Sequence, residues 1–280
     1  MREFDLLAKV YDRNAQLPAS VVIPPGDDMG AIVLGGQTLL LAVDQIIDGV
    51  HFSLADTPIQ KIGRKAITRN LSDVAAMAAL PVAAVASVAL PRGFEQADAL
   101  AQALAQTGLD YGCPVIGGDV AAVDGPLSIS VTVLADPAGI EPVLRRGSQV
   151  GDYIYVTGVL GGSLASGHHL DFEPRIALAR QLPRPHAMID LSDGLARDLK
   201  HLVSGARLDH LPIREGCTWQ QAVGDGEDYE LLFTHPDKLP CERQAIPVTC
   251  IGQVTDGDDI VLMWGGHAYN LAGQGWEHVS

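Results

Sequence analysis

The chain has 280 residues, 47% of them apolar, with 34 acidic against 19 basic side chains and a formal net charge of −15. That composition suits a globular chain of one large or two modest domains and argues against intrinsic disorder. It also argues against a general nucleic-acid or anionic-membrane binder, although a bound cation can reverse the local sign and admit a phosphate ligand.

Residues 2–13, with Phe4, Leu6, Leu7 and Val10 on one side, predict a short amphipathic helix. It has no long apolar core, so it reads as neither a signal peptide nor a membrane span. The turn-rich IPPGDDMG follows, then AIVL and TLLLAVDQI as strands joined by GGQ, and the loop DGVHF. Residues 58–79 predict a helix, VAAVASVAL (82–90) a strand, and 95–111 an Ala-rich helix. CPVIGGDV is a strand entering a glycine loop, and LSISVTVLAD alternates small polar with apolar positions as a strand does.

The pattern breaks at RRGSQVGD, which puts a domain boundary near residues 138–150, with one domain over 1–140 and another over 141–280. YIYVTG then reads as a strand and GGSLASGHHL as the start of a helix, with His168 and His169 as an exposed pair on it. Residues 174–182 are helical. HAMIDLSDG is a strand into a loop, LARDLKHLVSG a helix, DYELLFT and VTCIGQV strands, and GHAYNLAGQGWEHVS a short irregular tail. Strands and helices mix in both halves, giving an α/β (α+β) class. Cys113, Cys217, Cys241 and Cys250 form no C-x-x-C pair and read as reduced thiols of a cytoplasmic protein.

The acids are placed more tellingly than they are numerous. Asn70–Leu80, NLSDVAAMAAL, is a helix of small apolar residues interrupted by Asp73. A lone buried carboxylate costs several kcal/mol or neutralises itself. Asp27-Asp28, Asp44, Asp119, Asp190 with Asp193, and Glu227-Asp228 stand beside glycines, on strands or at helix starts. Singly, such acids are turn and cap residues. Together they fit a hard divalent cation, which takes several oxygen ligands and lets an acidic protein hold a nucleoside triphosphate. No G-x-x-x-x-G-K-[ST], no H-R-D with D-F-G, and no Rossmann G-x-G-x-x-G after the first strand is present, so a nucleotide would be held another way.

The series GDD, VDQIIDGVHF, KAITRNLSDVAAMAALP, VIGGD, RRGSQVGDYIYVTGVLGGS, IDLSDGLARDLKHL, GEDYELLFT, CIGQV and GWEHV resembles the thiamine-monophosphate kinase family. That family shares a superfamily with aminoimidazole ribonucleotide synthetase and selenophosphate synthetase. The resemblance runs over nearly the whole chain. It implies a two-domain fold like that of aminoimidazole ribonucleotide synthetase, with the N-terminal domain mediating a homodimer. It also implies Mg²⁺- and ATP-dependent phosphorylation of thiamine monophosphate to thiamine diphosphate, with K⁺ left open as a further ion. Carried onto this sequence, Asp27 or Asp28, Asp44, Asp73, Asp119, Asp190 and Asp193 are the implied metal ligands, with Asp44, Asp73 and Asp193 as the catalytic acids. Tyr111, Gly118, Arg145 and Ser192 would contact ATP, and His51, Glu227 and Trp276 thiamine monophosphate. The chemistry is coherent, since phosphoryl transfer needs positioning and charge neutralisation, and a phosphate acceptor is already an anionic nucleophile.

The sequence departs from that pattern in three places. Ala42-Val43 precede Asp44 where the family has hydroxyl residues, Val120 follows Asp119 where a Thr is usual, and the chain is shorter between 167 and 225. These departures carry the alternative expectation, a non-catalytic or altered-acceptor nucleotide-binding protein of the same superfamily. The relatives that act through a reactive cysteine fit less well, because this chain lacks one in a glycine-rich N-terminal segment and ends EHVS.

Overall fold

The computed structural model describes residues 3–239 and 246–275. Helix α1 (Glu3–Tyr11) and a short 3-10 turn lead into β1 (Val21–Ile23), β2 (Gly30–Leu34) and β3 (Gln37–Ile47). Then come α2 (Ile59–Ala76), β4 (Leu80–Pro91), α3 (Ala97–Asp110), β5 (Val115–Val123) and β6 (Ser128–Asp136). These strands form one six-stranded sheet in the order β1-β2-β3-β6-β4-β5. Only β4 and β5 pair in parallel, and α3 is the crossover that a parallel pair requires.

Alternation decides which face is covered. Leu40, Ala42 and Ile46 of β3 and Ile129, Val131 and Val133 of β6 point inward and are buried in one core with Ile62, Ala66, Ile67 and Leu71 of α2. Ser128, Ser130 and Thr132 of β6 take the outward positions. The outward face also carries Val43 and Ile116, exposed by 63 and 68%, whereas Val120 pairs with Val88 and lies on the inward side of the edge strand β5. Helices α2 and α3 pack unusually closely at Gly63, where a Cβ would fall 2.6 Å from that of Ala103.

Helix α2 stops at Ala76, three residues before its expected end. Ala78 takes a left-handed conformation (φ 53°), and the N–H groups of Ala78 and Ala79 return to the carbonyls of Ala75 and Val74. This is a C-terminal cap of the kind usually built on glycine.

The second sheet uses β7 (Tyr153–Thr157), β8 (Ala187–Asp190), β9 (Ala206–Leu208), β10 (Leu231–His235), β11 (Val248–Val254), β12 (Ile260–Trp264) and β13 (His267–Asn270), in the order β13-β12-β9-β11-β7-β10-β8. Between its strands lie α4 (Ser163–Ser166), α5 (His168–Asp171), α6 (Ile176–Ala179), α7 (Leu195–Leu202) and α8 (Trp219–Gly224). Strand β11 coincides with the predicted VTCIGQV.

Several expectations change here. GGSLASGHHL is two short helices split by left-handed Gly167, and helix over 174–182 shrinks to four residues. The strand expected from Asp228 starts at Leu231, because Glu227 (φ 55°) and Tyr229 (φ 50°) bend the backbone first. The expected irregular tail contains β13, which forms a hairpin with β12 through Gly265-Gly266, both at positive φ.

A third cluster ties the halves together. Ala75, Ala76 and Ala78 at the end of α2 pack with Val143, Tyr155, Ala179, Met188, Leu231 and Phe233. Small side chains let the helix end approach the second sheet closely, and that approach sets Asp73 beside Asp190 at the end of β8. Among the described residues, no helix is long and apolar enough to cross a membrane.

Candidate active site

Helix α2 organises the site because one stripe of it is polar. Lys65, Arg69 and Asp73 recur every four residues and so lie on one face, in a helix otherwise buried against apolar neighbours.

At the C-terminal end of the stripe, Asp28, Asp73 and Asp190 each offer an oxygen, and the three atoms lie within 4.8 Å of one another. They arrive from the turn before β2, from α2 and from β8. Ser72 Oγ donates to Asp190 Oδ2 at 2.6 Å. Arg145 donates through Nη2 and Nε to Asp28 Oδ1, at 2.8 and 3.2 Å. The other Asp28 oxygen is buried without a hydrogen-bond partner.

Burial pushes all three carboxyls up. In Asp73, raised well above the usual range, the charges of Asp44, Asp190 and Asp28 add to it. Asp190 rises to about 7, through burial and then Asp28. In Asp28 the Arg145 guanidinium offsets part of the burial effect. One arginine does not neutralise three acids. An orphaned buried oxygen and an oxygen-only donor set from three separate segments fit a hard divalent cation.

Asp27 stands next to this group. Its carboxylate accepts the Arg145 N–H at 3.1 Å, and burial with the neighbouring Asp28 raises it to about 6. Asp44 lies on the inward face of β3. Its Oδ2 is ion-paired to Arg69 Nε at 2.8 Å and its N–H donates to the Asn70 side chain. Of the two apolar residues before it, Ala42 shares its face and Val43 points the opposite way.

At the N-terminal end of the stripe, Lys65 is completely buried. Its Nζ donates to the His51 carbonyl and to Glu227 Oε2, both at 2.7 Å, and lies 2.8 Å from His169 Nδ1. Burial pulls the Lys65 ammonium down, and Glu227 opposes that. Burial would raise Glu227, but the bonds from His169 and Lys65 win and hold it at about 2. The pair is therefore a charged one. His169 is thus an interior residue, and His168 Nε2 sits 3.1 Å from the Asp228 carbonyl, so the exposed histidine pair of the sequence reading is not found. His51 Nδ1 accepts the Ile47 N–H at 3.0 Å, which leaves the ring proton on Nε2 in the neutral form.

A small open cleft lies alongside, lined by His51, Arg69, Ser192, Asp193, Asp225 and Glu227, with Val50 and Leu164. Asp193 is within 3.6 Å of Arg197, and its N–H and that of Gly194 donate to the buried Asp198. So the structure gathers His51, Ser192, Asp193 and Glu227 in one cleft, and Asp28, Asp73 and Asp190 with Arg145 in one cluster.

Three expected residues stand apart within the chain. Tyr111 caps α3 and bonds Arg64 and Glu173. Gly118 and Asp119 lie on the edge strand β5, and a Cβ at Gly118 would sit 1.8 Å from the Ala86 carbonyl oxygen. Trp276 lies outside the described residues. Sequence reasoning missed Lys65 and Arg69. The four-residue spacing 65–69–73 was the available signal.

Residues 26–135 match the family described as AIR synthase related protein, N-terminal domain. The thiamine-monophosphate kinase of Rhodopirellula baltica is 38% identical over 90% of this chain and 89% of its own. The enzyme of that name from Escherichia coli K12 is 31% identical over 95% of this chain and 97% of its own. A solved structure described as AaThiL complexed with AMPPCP and TMP superposes with a TM-score of 0.83 at 28% identity, covering 99% of this chain and 97% of that one.

Proposed function

We propose, from the premise that the chain belongs to the thiamine-monophosphate kinase family, an assignment of roles to this site. The reaction is ATP-dependent phosphorylation of thiamine monophosphate. An oxygen of its phosphate attacks the γ-phosphorus of ATP, the bond to the β,γ-bridging oxygen breaks, and thiamine diphosphate and ADP leave.

One observation carries the site assignment: three carboxylates within 4.8 Å, two of them buried and one of these with an orphaned oxygen, beside an open cleft. Asp28, Asp73 and Asp190 would hold Mg²⁺, with Asp27, Asp44 and Asp193 near enough in sequence and fold to complete its surroundings. Bound there, Mg²⁺ would neutralise phosphate charge that these acids would otherwise repel. Arg145 holds Asp28 in place and keeps a positive charge at the triphosphate end. In the cleft, His51 and Glu227 face the acceptor, Glu227 as a fixed polar wall whose charge Lys65 balances.

The same reading includes a homodimer. Asp119 and Gly118 sit on β5, three strand spacings or about 14 Å from β3 in the same sheet. The outward face bears exposed Val43 and Ile116 among Ser128, Ser130 and Thr132, and lacks a covering layer among the described residues. A second copy on that face would bury it and bring its own Asp119 toward this chain's site. We divide the chain at residue 140, because the first sheet draws every strand from before it and the second every strand from after it. The free thiols of Cys113 and Cys217 favour the reducing cytoplasm.

The test is to incubate the protein with ATP, Mg²⁺ and thiamine monophosphate and follow thiamine diphosphate by chromatography. Product that requires all three is expected. No product from a protein that still binds AMPPCP would overturn the acceptor assignment.

A further inference from the structure

Arg69 is the only Lys or Arg among the described residues that line the cleft. Its guanidinium uses one N–H, at Nε, on Asp44, and a second, at Nη1, reaches the Gln45 carbonyl at 3.4 Å. A guanidinium has five N–H donors in a planar fork. Among the described residues the other three bond nothing, although the side chain is mostly buried at 17% exposure. The rest of the lining is acidic or neutral, with Asp193, Asp225 and Glu227. Lys65 is consumed by Glu227 and His51, and Arg145 by Asp28.

From this geometry we infer that Arg69 is the protein's own binding group for the phosphate monoester of the acceptor, held toward it by Asp44. The inference deepens the proposed function and rests on it. A zwitterionic acceptor, with a cationic ring and an anionic phosphate, needs opposite charges at the two ends of one cleft. Asp225, unlike the Lys65-paired Glu227, leaves an acidic end for the ring. Arg69, reaching from the cleft to Asp44, marks the end for the phosphate and turns it toward the carboxylate cluster. A fork of free N–H donors matches phosphate oxygens two at a time. The Asp44 contact fixes the fork before the ligand arrives, so less side-chain freedom is lost on binding.

The test compares two ligands that differ only in the phosphate. Binding of thiamine and of thiamine monophosphate to the wild type and to Arg69→Ala is measured by calorimetry, without ATP. Arg69→Ala should weaken thiamine monophosphate roughly 10- to 100-fold and leave thiamine unchanged, with Arg69→Lys recovering part of the loss. In the kinase assay KM for thiamine monophosphate should rise while KM for ATP stays. Equal loss of both ligands would make Arg69 a structural support for the cleft, and a selective rise in KM for ATP would place it on the nucleotide side; either overturns the inference. If Arg69→Ala does not fold, Arg69→Gln, which keeps a hydrogen-bond donor for Asp44 but no charge, repeats the comparison. A wild type that makes no thiamine diphosphate would instead count against the acceptor assignment itself.

Discussion

The two ends of the polar stripe on α2 treat buried acid in opposite ways. At Asp73, three carboxylates from three segments converge with a single arginine among them, and their protons are held more tightly than usual. At Lys65, one carboxylate, Glu227, meets a buried ammonium and a histidine and stays ionised down to about 2. Both ends join the first half of the chain to the second. The first leaves its charge unbalanced and so calls for a cation from outside. The second carries its own cation and so serves as a fixed wall for the cleft. Buried acid thus marks a ligand site only where the fold has not already answered it.

Removing an acid from each end should separate the two roles. Asp73→Asn should lower turnover by at least about 100-fold, as loss of a charge-stabilising group does, while the metal-free melting temperature stays or rises because repulsion is relieved. Turnover near wild type would break the distinction. Lys65→Met should behave inversely in stability. It strands Glu227 in the interior at a cost of about 3–5 kcal/mol, or roughly 10 °C in a chain of this size. The double variant with Glu227→Gln should recover much of that. No recovery would mean that Lys65 acts through the His51 carbonyl or His169 instead.

Acidity offers a smaller test. In the metal-free fold, Asp190 at about 7 and Asp73 hold protons that the unfolded chain, at the usual 3.8, has released. Stability should therefore rise by a few degrees as pH falls from 8 to 6.5. Below 6.5 His201, lowered to about 4 by desolvation and by Arg145 and Arg197, acts in the other direction, so the window closes there. Mg²⁺ competes with those protons, and its gain in melting temperature should be larger at pH 8 than at 6.5. A gain independent of pH would argue against binding at these carboxylates. The smallest effect belongs to Lys61→Ala, which breaks an exposed pair with Asp171 and should cost at most about 1 kcal/mol. A larger loss would mean that surface pairs, not the Lys65 wall, join the halves.

The sequence made the strands legible where alternation was clean and turn residues bounded it, as in VTCIGQV and LSISVTVLAD. It failed where the information was tertiary. The β12–β13 hairpin carried its Gly265-Gly266 signal, but its alternation was read as an irregular tail. The α4 and α5 pieces are split by one left-handed glycine. The acids of the cluster stood out because Asp73 interrupts an alanine-rich helix and so demands a partner. Lys65 and Arg69 did not stand out, since a lysine beside Arg64 reads as a solvated charge. Only the packing of α5 and the Glu227 loop against α2 makes Lys65 interior. Likewise, Ala42 and Val43 read alike as lost hydroxyls. The strand's alternation puts Ala42 beside Asp44 and Val43 on the outer face.

The most direct measurement is titration of the metal-free protein with Mn²⁺, followed by electron paramagnetic resonance, for the wild type and for Asp73→Asn. The account predicts a Mn²⁺ site in the wild type that the variant loses while keeping its fold by circular dichroism. Equal binding by both proteins would contradict the claim that Asp28, Asp73 and Asp190 together await a divalent cation.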